Sequence, residues 1–312
     1  IASCLVGSEM CIRDRHQLPG TFGGYNVHGM TLKQSEAYAM ADGTSFDKEC
    51  YTLWKGKFTN DENKDEHKYD NVKNGVWWGY TNREPRFYAS VHYNGRPVLS
   101  AITVDDRNYF SSDKNKDGFG RAEYYYSGSS GAGTQMTDFT GYNVAKKVST
   151  SSSIRNDQAV YRPYIHIRYA EILLNYMEAM NEYNPEDPKI ITYFNEIRER
   201  AGIPNITVTY PQDLGDKEKM REWILRERQI ELAFEGDRFW TLARRLLYEK
   251  EENRKIYRMN VLADDQGQGF AFEGFYERKL LQTRYWDNKM YLYPIAQTEI
   301  DRGRGLVQNP GW

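Results

Sequence analysis

A chain of 312 residues can build one large domain or two ordinary ones, with ample length for a core. A formal net charge of −2 and a pI near 6.3 give no basis for nucleic-acid or anionic-membrane binding, and no window approaches the eighteen apolar residues of a bilayer-spanning helix. Against a mean hydropathy of −0.81, 25 Tyr, 13 Phe and 7 Trp stand out, since amphipathic rings serve both core edges and binding surfaces.

The first residues do not read as a natural start. Ile1-Ala2-Ser3-Cys4 is similar to a bacterial lipobox with Cys4 as the lipidated residue, a reading that requires a charged segment and an apolar run upstream. The longer stretch SCLVGSEMCIRDR (3–15) resembles translated adapter sequence found at the ends of metagenomic gene fragments, and it has neither strand alternation nor a helical stripe. Residues 1–15 are therefore set aside, leaving Cys50 of the three cysteines (Cys4, Cys11, Cys50), with no disulfide framework and no metal-ligand spacing.

From 16 to 161 the chain is loop-rich, with turn and charge clusters at NDENKDEHKYDN (60–71), DKNKDGFG (113–120) and SGSSGAGT (127–134). RFYASVHY (86–93) alternates like an isolated strand, and KKVSTSSSIRND (146–157) reads as a connector. From 162 to 250 helical periodicity takes over. Ile165, Tyr169, Ile172, Leu173, Tyr176, Met180 and Tyr183 form one amphipathic stripe, broken by NPEDP (184–188). Ile190, Phe194, Ile197 and Ala201 mark a second helix, ended by Gly202 and Pro204. A third, capped by Asp216, runs to Phe234; Gly236 closes it, and Asp237 caps a fourth with Trp240, Ala243 and Leu247 on its inner face. Residues 251–312 return to irregular structure. The fold class expected is mainly α: a tetratricopeptide-like superhelix of helical hairpins with long irregular loops and a few short strands. The hairpins start about fifty residues apart, against about 34 in a regular repeat, with YPQDLGDK (210–217) as the insertion.

Several segments resemble the SusD/RagB family. They are YIHIRYAEILLNYMEAMNE (164–182), FNEIRERAGIP (194–204), ILRERQIELAFEGDRFWTLAR (224–244) and YLYPIAQTEIDRGRGLVQNPGW (291–312), preceded in the family's order by SEAYAMADGTSF (35–46) and NREPRFYASVHYNG (82–95). The resemblance covers about 35–312 and departs from the family in lacking the amino-terminal portion with its signal peptide, lipidated cysteine and first helical repeats. It implies a surface lipoprotein of the outer membrane in Bacteroidetes-type bacteria. Such a protein binds oligosaccharides or other nutrients over a SusC-like TonB-dependent transporter, is not an enzyme and requires no cofactor. The alternatives are a helical-repeat scaffold for protein–protein interaction and, more distantly, a glycoside hydrolase.

In the third helix Met220, Trp223, Ile224, Ile230 and Phe234 make an apolar stripe that Glu227 completes, with Glu231 one turn on. Carboxylates facing inward need cationic partners, and Arg228, Arg168 and Arg198 are the expected ones. The same i, i+4 spacing would suit a glycosidase acid pair, but both residues belong to a packed stripe, so a structural brace is the preferred reading. For ligand contact the candidates are Trp77, Trp78 and Tyr80 in NGVWWGY (74–80), and Tyr124 and Tyr126 in EYYYSG (123–128), against core packing as the alternative. Asp113, Asn115, Asp117 and Gly118 match the opening of an EF-hand loop, but Tyr124 stands where a bidentate Glu is needed and Glu123 is one residue early. A non-EF-hand calcium turn competes there with a plain Asx-rich surface turn. His16, His28, His67, His92 and His166 show no paired-ligand spacing, and neither a phosphate-binding loop nor a nucleophile elbow occurs.

Overall fold

The computed structural model describes residues 17, 24–60, 62–66, 74–96, 121–133, 139–149, 160, 165–303 and 305–312. The segment set aside at 1–15, the Asx-rich turn at 113–120 and most of the connector at 146–157 lie outside them.

The front of the molecule holds short elements: α1 (Leu32–Ala37), α2 (Pro85–Ser90), β1 (Val91–Tyr93) and β2 (Tyr142–Val144). The segment 86–93, expected as one strand, is divided between α2 and β1. Pro85 at the first helical position pre-sets φ for a helical turn, and the chain becomes extended only at Val91. β1 and β2 pair antiparallel, with His92 opposite Asn143.

The middle is helical. α3 (Tyr169–Tyr183) and α4 (Pro188–Arg200) form the first hairpin, and α5 (Lys217–Glu231) packs on α3. Asp187 caps α4 by accepting from the Lys189 amide, and Asp216 caps α5 by accepting from the amides of Glu218 and Lys219. α6 (Asp237–Arg244) follows Gly236, whose φ of +84° makes the left-handed turn between the two helices. Ile190, Phe194, Ile197 and Ala201 are all buried, as their spacing predicts.

Two helical faces differ from expectation. On α3 the buried residues are Ala170, Leu173, Leu174, Met177, Glu178 and Asn181, while Ile165, Tyr169, Ile172 and Tyr183 are 53%, 64%, 51% and 86% exposed. The helix carries two apolar faces, and the hairpin uses the one whose Leu173, Leu174 and Met177 fit α4 and α5. On α6 the inward residues are Thr241 and Leu242, and Trp240 faces out.

The last third returns to the front of the molecule. β3 (Lys255–Arg258) and β4 (Lys279–Thr283) pair antiparallel, with an irregularity between Ile256 and Tyr257. Met259, Val261, Phe270, Phe275 and Tyr276 join Met30, Trp77, Tyr80, Phe87 and Tyr93 in one aromatic-rich core. A second core lies within the helices. α5 belongs to both: Ile230 packs into the first, Met220 and Ile224 into the second. That double role places its charged residues at the seam.

Candidate functional site

At this seam the acids of α5 meet arginines from distant segments. The Arg86 Nη1 donates to Glu227 Oε1 at 2.6 Å and to Glu231 Oε2 at 2.9 Å, and its Nε donates to Glu84 at 2.6 Å. Glu231 also pairs with Arg168 at 2.5 Å and Arg200 at 2.6 Å, and Glu235 with Arg168 at 2.8 Å and Lys146 at 2.6 Å. Glu84, Glu227, Glu231 and Glu235 thus face Arg86, Arg168, Arg200 and Lys146, four charges of each sign, which is how buried carboxylates remain ionised. Burial alone would push Glu231 up; the hydrogen bond from Arg168 and the charges of Arg86, Arg168 and Arg200 outweigh it and hold the carboxyl at about 2. At Glu84 burial wins, and its carboxyl is raised.

Two expected partners act elsewhere. Arg228 does not pair with Glu231: its guanidinium donates to Asp237 at 2.6 Å and to Asn175 at 2.6 Å, tying α5 to α6 and α3. On a helix the i, i+3 neighbour is close, but the side chain points toward the better-placed Asp237. Arg198 makes no ion pair among the described residues; it donates to the carbonyls of Pro204 at 2.6 Å and Gly43 at 3.1 Å. The main partner of the α5 acids, Arg86, is not among the cations that helical spacing points to. Its signal in the sequence is the pair of opposite charges, Glu84 and Arg86, flanking Pro85 inside NREPRF.

The aromatic candidates are mostly interior. Trp77, Tyr80 and Tyr124 are 1%, 0% and 0% exposed and Trp78 is buried, so these rings present no stacking face to a ligand. Trp77 lies between Tyr51 and Tyr276, stacked at 5.5 Å and 5.2 Å, and its indole N–H donates to the Trp54 carbonyl at 3.1 Å. The segment 76–80 ends in a 3₁₀ turn, Trp78–Tyr80, so the simple alternation of an extended strand does not apply to these rings. Of the five, Tyr126 is exposed. Of the calcium candidates, Asp113, Asn115 and Asp117 fall outside the described residues, and Glu123 accepts from the Ser129 amide at 3.1 Å. Among the described residues no group of three or more His, Cys, Asp or Glu side chains is arranged to hold a metal.

A cleft of about 640 Å³ lies between the 40–47 loop and the end of the first hairpin. Met40, Ala41, Trp54 and Pro204 supply apolar wall; Asp42, Asp47 and Asn82 supply polar groups. Arg198 joins the two sides, since its two carbonyl acceptors, Gly43 and Pro204, belong one to each. Ser45 is held in turn by the Tyr210 hydroxyl, which accepts from its amide at 2.7 Å, and by Arg226. The one local signal of this cleft along the chain is a turn cluster, ADGTSFD, close to Trp54. A second cavity of about 450 Å³, lined by Arg168, Arg228, Glu235, Asp237 and Trp240, holds charges already matched to each other.

Comparison with known proteins gives a consistent result. A model described as the SusD family matches residues 7–312. Two SusD-like proteins of Formosa agariphila are similar to this chain. One is 29% identical over 153 residues, covering 48% of this chain and 26% of the relative; the other is 33% identical over 125 residues, covering 38% and 23%. Among solved structures, a SusD-like protein from Bacteroides fragilis aligns with a TM-score of 0.62 at 26% identity, over 93% of this chain and 48% of its own. A SusD-like carbohydrate-binding protein from the same species aligns with a TM-score of 0.58 at 23% identity, a likeness of fold alone. The chain spans about half the length of these solved relatives, and its matches cover about a quarter of the curated ones.

Proposed function

Because this chain belongs to the SusD family, we propose that it is part of a surface lipoprotein of the outer membrane that binds oligosaccharide or polysaccharide nutrients and passes them to a SusC-like TonB-dependent transporter. The observation that carries this reading is the family match across residues 7–312. Attachment in this reading is by an amino-terminal lipid, as in the family; among the described residues no helix is long and apolar enough to cross a membrane.

The state of the acids favours binding over hydrolysis. A glycosidase needs one carboxyl that keeps its proton near neutrality and reaches the substrate. Glu231 is held at about 2 by its arginines, and Glu227 shares the Arg86 Nη1 with it. Glu84 has a raised pKa but is 0% exposed, out of reach of a glycan.

Affinity electrophoresis against plant, host and microbial polysaccharides tests the binding, with retardation in at least one gel expected and uniform free migration counting against it. Capture of a TonB-dependent transporter from outer-membrane extract by the full-length protein tests the handover. A calcium turn at Asp113, Asn115, Asp117 and Glu123, with a plain Asx-rich turn as the alternative, belongs to this proposal; calorimetry with calcium, showing no heat above buffer, would remove it.

A further inference from the structure

We infer that the cleft between the 40–47 loop and Pro204 is a subsite for one neutral sugar ring, an inference that rests on the glycan-binding reading above and adds where a ring sits. Its volume of about 640 Å³ is in the range of small-molecule sites. Sugar recognition needs an apolar surface for the C–H face of the ring and polar atoms beside it for the hydroxyls. Both are present here. Trp54 lines the cleft half-buried, braced by an edge contact to Phe46 at 6.1 Å, and its indole N–H has no hydrogen-bond partner among the described residues. That leaves a donor for a hydroxyl oxygen.

The acceptors are Asp42 and Asp47. Each uses one oxygen to hold its own turn: Asp42 Oδ1 accepts from the Thr44 amide at 2.9 Å, and Asp47 Oδ1 from the Glu49 amide at 2.9 Å. Both side chains are exposed, and the second oxygen of each has no partner among the described residues. Hydroxyl donors to a carboxylate make strong charge-assisted bonds. The turns and the Arg198 tie between Gly43 and Pro204 hold these groups in place before any ligand arrives, which lowers the ordering cost of binding.

Charge sets the ligand class. Among the described residues no Lys or Arg lines the cleft, and the two carboxylates would meet a uronate or sulfated sugar with like charge. The ligand is therefore a neutral glycan, with a hexose or pentose ring against Trp54.

The test uses the chain labelled with 5-fluorotryptophan and titrated with cellohexaose, mannohexaose, maltohexaose, xylohexaose and a hexagalacturonate, followed by ¹⁹F NMR. Loss of one line in Trp54→Phe assigns the cleft resonance. We expect a neutral hexasaccharide to shift the Trp54 line and leave Trp77 unmoved, and the hexagalacturonate to shift neither. Asp42→Asn with Asp47→Asn keeps both turn acceptors, so the melting temperature should hold while affinity falls about tenfold. Binding that moves other lines but not Trp54, or that is unchanged in the double variant, overturns the subsite and leaves glycan binding standing. A shift of Trp54 by the hexagalacturonate overturns the neutral class. Failure of every sugar to move any tryptophan, with no retardation in the polysaccharide gels, overturns both readings.

Discussion

Arg86 and Glu231 are 145 residues apart in sequence and meet at 2.9 Å, with the same guanidinium nitrogen also holding Glu227 at 2.6 Å. The contact joins α2, on the aromatic core, to α5, which serves both cores. Removing one partner of a buried ionic group leaves the others uncompensated, so Glu231→Ala or Glu227→Ala should destabilise the chain by about 3–5 kcal/mol. Urea denaturation measures this; a loss below about 1 kcal/mol would show that the seam is not held there.

The same network predicts an acid limit. Glu231 is held at about 2 when folded, against about 4.3 for an unfolded glutamate. A depressed carboxyl stabilises fully above its unfolded pKa and loses that contribution as pH falls toward the folded value. Glu235 is lowered too, with the same sign, whereas Glu84 is raised by burial and contributes the opposite sign, gaining stability as it takes up its proton. The melting temperature should stay level from pH 7 to about 5, then fall between about 4.3 and 2. Glu231→Gln should flatten that fall, and an unchanged slope would contradict it.

Trp77 separates core from site. Its ring fills space between Tyr51 and Tyr276, and Gly79 leaves room for it, since a Cβ there would lie 2.1 Å from the indole. Trp77→Ala should cost about 3–5 kcal/mol, with sugar affinity of the folded fraction unchanged. An affinity loss without a stability loss would return Trp77 to the ligand surface.

Gly43 couples the cleft to the hairpin. Its φ is +82°, and a Cβ would lie 2.4 Å from Arg198 Nη2 and 2.9 Å from Thr209 Oγ1. Gly43→Ala should destabilise by about 1–3 kcal/mol and weaken sugar binding together, because the tie that sets the cleft width is displaced. Thermal melts and gel retardation on the same variant read the two effects.

The outer face of α3 predicts association. Ile165, Ile167, Tyr169 and Ile172 are each more than half exposed along one helix and its approach, an apolar patch of the kind that seeks a cover. In light scattering after size exclusion the 312-residue chain should show concentration-dependent association, reduced by Tyr169→Lys with Ile172→Lys. A strictly monomeric wild-type chain would contradict this. The scaffold alternative would use the same face, and a defined complex with a second protein would favour it.

Features set by neighbouring residues were legible. The α4 stripe at Ile190, Phe194 and Ile197, the Asp216 cap, the turn at Gly236 and the SusD-like motifs all follow from short-range spacing, because helical period and capping depend on residues within about one turn. The inward position of Glu227 and Glu231 was legible for the same reason, since a stripe defines a face.

What depended on distant segments was not. α3 carries two apolar faces with nearly the same period, and packing on α4 and α5 chose between them. Trp77 and Tyr80 sit in a glycine-flanked segment where ligand contact and core packing both fit the sequence, and Tyr51 and Tyr276 close over them. Arg86, Arg168 and Arg200 converge on Glu231 from three separate segments, and the cleft exists because Arg198 ties Gly43 to Pro204. Periodicity is a property of the local backbone and can be read along the chain. The choice of face, of ion-pair partner and of which ring remains exposed is a competition among contacts that exist only after folding.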